Sequence, residues 1–361
     1  MTHRIILSTG GTGGHVFPAL SLACELKKRG FITELVTDQR GAAYQDSQYF
    51  EHVSILNLPQ TSGVLGKIRQ ALSVIYQAMS YVGEFLCDRP ALVIGFGGYT
   101  SAPVVLAASL LRIPVIVHEQ NAVLGRVNRL MGFFARRIAL GMPVTRHADN
   151  EKAVFVGNPV RQSIILQAQQ RAVDTGKIKL FVFGGSQGAD LFARVVPQAV
   201  GLLPASLQAQ LSVVHQVREG MQQQTRQAYE QTKAQIESIQ PFFSDMPDRL
   251  CQSDLIIGRA GAMTITEISV IGRAAIFIPL KIAMDNHQYW NVKPLVDAKA
   301  AEMILEVDLT PLSLANKLQH LLQSQELRQT MSEKMHEFSM LDSAEKFADL
   351  IGTAFEKTET K

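Results

Sequence analysis

Short apolar runs recur along the chain and alternate with longer segments whose apolar residues return every three or four positions. Runs that lack polar alternation are typical of strands buried on both faces of a parallel sheet, and the segments between them are typical of covering helices. The pattern therefore predicts an α/β, doubly wound architecture. The runs predicted as strands are 5–7, 32–37, 53–56, 91–94, 114–117, 137–140, 153–156, 178–183, 211–215, 255–258, 274–279 and 302–305.

The same order of elements occurs twice. Ile5–Leu7 leads into the glycine-rich segment Gly10–Gly14, and Ile178–Phe183 leads into Gly184–Ala189. Each glycine segment is followed by a helical pattern, so each half opens with a strand, a glycine turn and a helix. Two doubly wound domains that each place a helix N-terminus at this edge predict a cleft between them.

The boundary between the halves is marked by turn residues and by polar composition. Gly157–Pro159 is a turn cluster, and a Gln-rich polar segment covers residues 162–177. A chain of 361 residues has room for two domains of roughly 100 to 200 residues each. We therefore predict an N-terminal domain at 1–160 and a second domain at 161–339.

The first glycine turn carries candidate chemistry. Glycines at Gly10–Gly14 leave backbone N–H groups open to a ligand, and a helix predicted from Pro18 would direct its N-terminus at a phosphate or another anion. His15 lies in the same turn. The alternative is a tight corner with a solvated histidine. Walker A and dinucleotide spacing both fail here, although Asp38 ends the second strand where a ribose-binding acid would lie, which keeps NAD open.

Composition limits the classes of partner. The net charge is +3 and the chain holds one Trp, which argues against nucleic acid. Three scattered cysteines indicate a reducing compartment. The N-terminus lacks a signal-peptide pattern, and no apolar run reaches the roughly 18 residues of a spanning helix. These features predict a cytosolic protein, or one that lies against a membrane from the cytosolic side.

One helical segment, 64–86, is apolar around most of its circumference. Lys67 and Arg69 lie near its beginning, and the segment Phe133–Arg137 has the same mixture of apolar and basic residues. Two interpretations stay open at this stage. The helix is an ordinary buried one, or it forms a surface that docks on anionic lipid.

A second corner, Gly258–Glu267, has the composition of a nucleotide-sugar site. Its helix N-terminus suits a pyrophosphate, and Glu267 suits the two hydroxyls of a ribose. Gln288 and Asn291 follow on one helix face, where two amides can read sugar hydroxyls. Taken in order, these features indicate a nucleotide-sugar ligand.

The sequence resembles, over nearly its whole length, the MurG family of bacterial UDP-N-acetylglucosamine transferases, in glycosyltransferase family 28. The matching motifs are Gly10–His15, Gly97–Tyr99, His118–Asn121, Gly157–Arg161, Gly184–Ala189, Arg259–Ala262 with Glu267, and His287–Gln288 with Asn291. The resemblance implies a GT-B fold of two Rossmann-like domains facing a cleft, with a final helix at about 340–356 returning to the first domain. It also implies inverting transfer of N-acetylglucosamine from UDP-N-acetylglucosamine to the muramyl 4-hydroxyl of lipid I, giving lipid II.

The resemblance also implies roles for individual residues. Arg161 and Ser186 would lie near the α-phosphate, the backbone of Phe243 at the uracil, Glu267 on the ribose, and Gln288 with Asn291 on the sugar. Gly98, Tyr99, His118, Glu119 and Asn121 would shape the acceptor side. The remaining donor-site positions are Thr12, Gly13, Gly14 and Asn121, which would close over the donor, and Ala262, Met263, Thr264, Ile265 and Thr266.

Inverting transfer needs a base for the acceptor hydroxyl and stabilisation of the departing diphosphate. His15 is the base that we expect, with His118 and Glu119 as the alternatives. We expect no cofactor and no bound metal, with free magnesium able to assist. The implied setting is peripheral, at the cytoplasmic face of the inner membrane, in contact with anionic lipid and with other proteins of cell-wall synthesis. The open alternatives are another UDP-sugar-dependent lipid glycosyltransferase, a nucleotide-sugar sensor and an NAD-dependent oxidoreductase.

Overall fold

A computed structural model describes residues 3–43, 48–59, 63–148, 151–169, 176–185 and 189–356. The chain divides into two compact units. Unit 1 comprises Met1–Arg161 with Leu341–Lys361, and unit 2 comprises Gln162–Met340. Each unit contains one parallel sheet with helices packed on it.

Unit 1 contains a seven-stranded sheet among its described residues. Its strands are β1 (Arg4–Ser8), β2 (Ile32–Thr37), β3 (His52–Ile55), β4 (Leu92–Gly95), β5 (Val115–Glu119), β6 (Arg137–Leu140) and β7 (Ala153–Phe155). Their order in the sheet is β3-β2-β1-β4-β5-β6-β7. Its helices are α1 (Gly13–Lys28), α2 (Gln39–Ala42), α3 (Gly63–Cys87), α4 (Ala102–Leu110) and α5 (Arg126–Phe134), with a 3₁₀ turn at Tyr99–Ser101.

The side chains of β1 explain why this sheet is covered on both faces. Ile5 and Leu7 pack into the cluster that contains Leu22 of α1, whereas Ile6 packs into the opposite cluster with residues of α3 and α4. Successive residues of a strand point to opposite faces, so a strand that is apolar at every position needs helices on both sides.

Unit 2 contains a six-stranded sheet among its described residues. Its strands are β8 (Ile178–Phe183), β9 (Leu211–Gln216), β10 (Gln235–Gln240), β11 (Leu255–Gly258), β12 (Ala274–Phe277) and β13 (Glu302–Met303), in the order β10-β9-β8-β11-β12-β13. Its helices are α6 (Gln162–Ala168), α7 (Asp190–Gly201), α8 (Ala205–Gln210), α9 (Gln222–Glu230), α10 (Met246–Gln252), α11 (Ala262–Ile271), α12 (His287–Asp297), α13 (Pro311–Gln323) and α14 (Gln325–Glu337), with a 3₁₀ turn at Met284–Asn286.

Helix α15 (Ser343–Glu356) belongs to unit 1 although it follows unit 2 in sequence. It packs on α1, where Phe355 stacks on Phe31 with ring centroids 6.0 Å apart and Asp349 pairs with Arg29 at 2.6 Å. The hydroxyl of Ser343 donates to the carbonyl of Asn158 at 2.9 Å. These contacts attach the last helix to the end of the first unit.

The structure corrects one expectation from the sequence and adds two elements that the sequence pattern does not predict. Helix α1 begins at Gly13, not at Pro18, which lies inside the helix. Helix α6 forms within the Gln-rich segment that marks the predicted boundary, and Ile164 of this helix is fully buried. The edge strand β10 was not predicted, since its polar and half-buried residues lack a continuous apolar run.

Helix α3 is buried along only one stripe. Ala78, Tyr81 and Phe85 pack on the unit 1 core. The apolar side chains that α3 exposes are Leu65, Ile68, Leu72, Ile75, Tyr76, Met79 and Leu86. The interpretation of this segment as an ordinary buried helix is therefore wrong. Within the described part of the chain, no helix combines the length and apolar character required to traverse a bilayer.

Candidate active site

Three loops of unit 1 meet at the carboxyl edge of its sheet. They follow β1, β4 and β5, which are neighbours in the sheet, so the glycine turn, the Gly97–Tyr99 loop and the segment after His118 lie side by side. In open α/β sheets this edge is where ligands bind.

The glycine turn leads directly into α1. Thr12 is the N-cap residue, and its carbonyl accepts from the N–H groups of His15 and Val16 at 2.9 and 3.1 Å. Gly13 and Gly14 therefore occupy the first turn, where backbone N–H groups have no acceptor within the helix. These N–H groups and the helix dipole favour a negatively charged ligand at this point.

His15 is held by a side-chain hydrogen bond and by the neighbouring loop. Its Nδ1 lies 2.8 Å from the Thr12 hydroxyl, and its ring is half-buried. A Cβ at Gly97 would lie 3.6 Å from His15 Cδ2, which places the imidazole against the loop after β4. The imidazole is therefore partly accessible to a ligand and is held in a fixed orientation.

Gly98 brings the two glycine loops into backbone contact. Its φ is +76°, and a Cβ there would lie 3.2 Å from the Gly10 Cα. A side chain at Gly98 would therefore force the loops apart, in addition to the strain of a positive φ. Tyr99 follows at the start of the 3₁₀ turn and is half-buried.

His118 is completely buried at the end of β5. Its Nε2 lies 3.3 Å from the Gly157 carbonyl and its Nδ1 lies 3.1 Å from Nε2 of Gln120. The ring packs against Phe96 and Phe347, with centroid distances of 5.4 and 5.1 Å. Burial lowers the pKa of His118 to about 4, so the ring is neutral at pH 7.

The Glu119 carboxylate is surrounded by donors. Oε1 accepts from the backbone and side-chain nitrogens of Asn121, both at 3.0 Å, and Oε2 accepts from the backbone of Gly125 at 2.8 Å and from Asn128 Nδ2 at 2.9 Å. These four hydrogen bonds tie the loop after β5 to the first turn of α5. The side chain of Asn121 is turned back onto Glu119.

Two buried amides in this region were not assigned a role from the sequence, although Gln120 lies within the His118–Asn121 motif. Gln120 donates to the Phe96 carbonyl at 3.0 Å and contacts His118, and Asn128 donates to the His118 carbonyl at 3.0 Å. A signal for Asn128 was present, because it lies three residues before Met131 on the buried face of α5. A polar residue on an apolar helix face usually has a specific partner.

Two other candidates of unit 1 have defined contacts. The Arg161 guanidinium lies 4.2 Å from the centroid of the Phe17 ring, which places it beside α1. Asp38 caps α2 by accepting from the backbone of Arg40 and Gly41, and it pairs with the Arg40 guanidinium at 2.9 Å. Its oxygens are engaged in these local contacts, which removes the main argument for ribose binding by a dinucleotide in this unit.

In unit 2 the corner between β11 and α11 brings together the predicted donor residues. Helix α11 begins at Ala262 after the N-cap Gly261, and Met263, Thr264, Ile265 and Thr266 form its first turns. Glu267 is buried in the next turn. Asn291 of α12 donates to the Ala260 carbonyl at 3.1 Å and so attaches α12 to this corner. Gln288, one turn earlier, accepts from the Leu280 backbone at 2.9 Å.

The other predicted donor residues differ in how far the structure describes them. Phe243 follows β10, and its buried ring packs edge-on against Phe181 at 5.8 Å while Arg249 lies 5.4 Å from its centroid. The ring is thus occupied by core contacts, which leaves the backbone for a ligand. Ser186 lies outside the described residues.

Arg259 belongs to the motif Arg259–Ala262, but its side chain makes contacts that stabilise the fold of unit 2. Its guanidinium pairs with Glu306 at 2.6 Å and lies 4.8 Å from the Phe192 ring.

Among the described residues there is no group of three His, Cys, Asp or Glu side chains arranged to hold a metal ion.

Comparison with known proteins identifies the family. Residues 5–140 match the glycosyltransferase family 28 N-terminal domain and residues 179–351 match the family 28 C-terminal domain. Curated relatives from Rhodospirillum centenum and Phenylobacterium zucineum are each 38% identical, covering 96% and 97% of this chain and 93% and 98% of theirs. Both are named UDP-N-acetylglucosamine–N-acetylmuramyl-(pentapeptide) pyrophosphoryl-undecaprenol N-acetylglucosamine transferase.

Solved structures agree with this assignment. The chain is similar to the crystal structure of Acinetobacter baumannii MurG, with a TM-score of 0.78 and 29% identity over 98% of this chain and 100% of that one. A putative UDP-N-acetylglucosamine 2-epimerase from Listeria monocytogenes gives a TM-score of 0.72 at 12% identity, over 99% of this chain and 98% of that one, and shows the fold alone. The fold is thus GT-B, and the chain belongs to glycosyltransferase family 28 and, within it, to the MurG family.

Proposed function

We propose that this enzyme transfers N-acetylglucosamine from UDP-N-acetylglucosamine to the 4-hydroxyl of the muramyl sugar in lipid I, with inversion, giving lipid II for peptidoglycan. The relatives' names state the transferase activity, and the site of this chain supplies matching chemistry. The observation that carries the proposal is the position of His15, which lies oriented and half-buried at the first turn of α1.

His15 acts as the general base in this proposal. In the tautomer whose Nδ1–H donates to Thr12, the basic lone pair is on Nε2, the atom that would take the proton of the acceptor hydroxyl. A neutral imidazole with this lone pair open to the acceptor is competent as a general base. General base catalysis by such a group contributes about 10² to 10⁴ in rate.

The two other candidates for the base serve to hold the loops. His118 is inaccessible, both its ring nitrogens have partners, and its lowered pKa makes it a weak base. The Glu119 carboxylate already accepts four hydrogen bonds, which a proton would disrupt. We therefore assign both residues to positioning.

Unit 2 binds the donor in this proposal. The N–H groups at Ala262 and Met263 and the dipole of α11 receive the diphosphate, Glu267 accepts from the ribose hydroxyls, and the backbone of Phe243 receives the uracil. Gln288 and Asn291 read the sugar. Charge that develops on the departing diphosphate is then stabilised by groups already in place, with Arg161 and Ser186 as further contributors and free magnesium able to accompany the diphosphate.

A transfer assay tests the reaction directly. The purified chain is given UDP-N-acetylglucosamine and a soluble lipid I analogue, and the product is followed by mass spectrometry. We expect one N-acetylglucosamine per acceptor and equimolar UDP. Transfer from another UDP-sugar in preference would assign a different lipid glycosyltransferase, and donor binding without any product would favour a nucleotide-sugar sensor.

We also propose that the enzyme docks peripherally on anionic lipid at the cytoplasmic face of the inner membrane. Leu65 of α3 and Phe133 of α5 are 83% and 78% exposed, and Lys67, Arg69 and Arg136 accompany them. Helices α3, α4 and α5 contribute to one core cluster, so these surfaces lie on the same face of the unit 1 sheet. Apolar wedges beside cations suit the interface of an anionic bilayer.

Co-sedimentation with phosphatidylglycerol vesicles tests the docking. Replacing Lys67, Arg69 and Arg136 with Glu should abolish binding, because each cation near an anionic surface is worth about 1 kcal/mol. A matched variant with Lys28, Arg226 and Lys233 replaced by Glu should bind normally. Equal binding by the two variants would contradict the proposal.

A further inference from the structure

A cavity of unit 1 lies beside the glycine turn and has no role in the mechanism described above. It is open to solvent, has a volume of about 570 Å³ and is lined by Arg40, Leu56, Asn57, Arg69, Ser73 and Tyr99 among others. This volume lies within the range of about 300 to 1,000 Å³ that is typical of small-ligand sites. We call it the Arg69 pocket.

The Arg69 pocket adjoins the turn that holds His15. Asp38, which also lines the pocket, is packed so closely on Gly11 that a Cβ there would collide with its carboxylate. Tyr99 also lines the pocket and directly follows Gly98, whose backbone contacts Gly10. A ligand whose reacting hydroxyl lies at His15 can therefore extend a substituent into this pocket.

The charges of the pocket favour an anion. Arg40 is neutralised by its ion pair with Asp38 at 2.9 Å. Arg69 is exposed on the first turns of α3 and forms no ion pair or hydrogen bond with the described residues. The side chains of Asn57, Ser73 and Tyr99 add donors around it, and Leu56 with Leu58 supplies an apolar wall. A guanidinium beside neutral donors and an apolar wall suits a peptide that carries a carboxylate.

The acceptor of the proposed reaction carries such a group. The relatives' names specify an N-acetylmuramyl-(pentapeptide) acceptor, and in a muramyl sugar the peptide is attached through the oxygen on C3, next to the reacting 4-hydroxyl. The peptide is therefore attached next to the hydroxyl that reacts at His15. The pyrophosphate is the other anion of this acceptor, and the N–H groups at the start of α1 already suit it.

We propose that the Arg69 pocket binds the peptide stem of the acceptor, with the Arg69 guanidinium pairing with a peptide carboxylate. This inference rests on the proposed function, because the peptide belongs to its acceptor. It assigns to this pocket a preference for acidic over neutral peptides.

The test compares two soluble lipid I analogues with short prenyl chains, in the absence of membranes. One has free peptide carboxylates and the other has these carboxylates amidated, so the pyrophosphate is the same in both. The proteins are the unaltered chain, Arg69→Gln, Arg69→Lys, and Lys28→Gln as the control. Lys28 is an exposed cation at the C-terminal end of α1 and does not line the pocket.

The unaltered chain should favour the acidic analogue about tenfold in acceptor KM, the size expected for one charged hydrogen bond that is partly screened by water. Arg69→Gln should lose this preference by raising KM for the acidic analogue alone, with kcat and the donor KM unchanged. Arg69→Lys should retain part of the preference, because lysine keeps the positive charge but lacks the planar guanidinium that can donate two parallel hydrogen bonds to a carboxylate. Lys28→Gln should behave as the unaltered chain.

Three results would overturn the proposal. The first is that the unaltered chain shows no preference for the acidic analogue. The second is that Arg69→Gln raises KM equally for both analogues, which would assign Arg69 to the pyrophosphate. The third is that Arg69→Gln keeps the preference for the acidic analogue. Fluorescence anisotropy with labelled versions of both analogues measures the same preference without turnover. Absence of transfer to either analogue would instead contradict the proposed function, and the anisotropy would still decide the pocket.

Discussion

The two units each place a glycine corner and a helix N-terminus at the carboxyl edge of a parallel sheet, but the side chains at the two corners differ. In unit 1 the corner carries His15, a titratable ring held against the neighbouring loop. In unit 2 the first turn of α11 carries no titratable side chain, and Asn291 fixes its backbone from α12. In the proposed mechanism, the same backbone geometry serves proton transfer in one unit and binding of a nucleotide sugar in the other.

This division predicts that the largest effect on turnover comes from unit 1. Replacing His15 with Ala should reduce kcat by about 10²-fold or more, because the acceptor hydroxyl loses its base. Affinity for UDP-N-acetylglucosamine, measured by calorimetry, should stay within about twofold. Turnover that is undiminished in His15→Ala would remove the base assignment and with it the contrast between the corners.

The next effect concerns donor affinity in unit 2. Glu267→Ala should weaken donor binding about 10- to 100-fold, since a carboxylate that accepts two hydroxyl hydrogen bonds is lost. Removing the ribose hydroxyls from the donor should cost the unaltered chain a similar factor and cost Glu267→Ala little more. Independent losses that simply add would show that Glu267 does not contact the ribose.

A smaller effect concerns the pH dependence of stability, which two buried histidines should influence. His118 in unit 1 and His215 in unit 2 are both fully buried, and burial lowers their pKa values to about 4 and about 3. An unfolded imidazole titrates near 6.5, so between pH 6.5 and these values the unfolded chain binds more protons. The free energy of unfolding should therefore fall as pH falls through this window, by about 1 kcal/mol per histidine between pH 7 and 5.5.

Urea denaturation at pH 7 and at pH 5.5 measures this loss. Trp290 is the single tryptophan and lies in α12, so its fluorescence reports on unit 2. In His215→Gln, the acid-induced loss of stability should be smaller by about 1 kcal/mol than in the unaltered chain. An identical pH dependence in both proteins would mean that His215 is not buried as a neutral ring.

Much of this architecture follows from local sequence pattern. The bounds of β6, β8 and β11 match the predicted runs, because strands that are buried on both faces are apolar at most positions. The bounds of β2 match as well, although Thr33, Glu34 and Thr37 make this strand half polar. The edge strand β10 escaped prediction since one of its sides faces solvent. The sequence predicts too late a start for α1, because proline suits a first helical turn, whereas the helix begins at Gly13 and accommodates Pro18 in its second turn.

The residue types of the candidate site could be predicted from the sequence, but the contacts between them could be predicted only in part. Glycine spacing identified both corners, and His15 followed from its position in the first one. The sequence marked Asn128 as a polar residue on a buried helix face but did not identify its partners, because its contacts with Glu119 and with the His118 carbonyl form only in the folded loops. The exposure of α3 was likewise undecided, since apolar residues at helical spacing are compatible with a core and with a docking surface.

A crystal structure of the enzyme with UDP-N-acetylglucosamine tests the contrast between the units most directly. We expect the uracil at the Phe243 backbone, the ribose hydroxyls on Glu267 and the diphosphate at the N-terminus of α11. A uridine bound at the Gly10–Gly14 turn of unit 1 would contradict it.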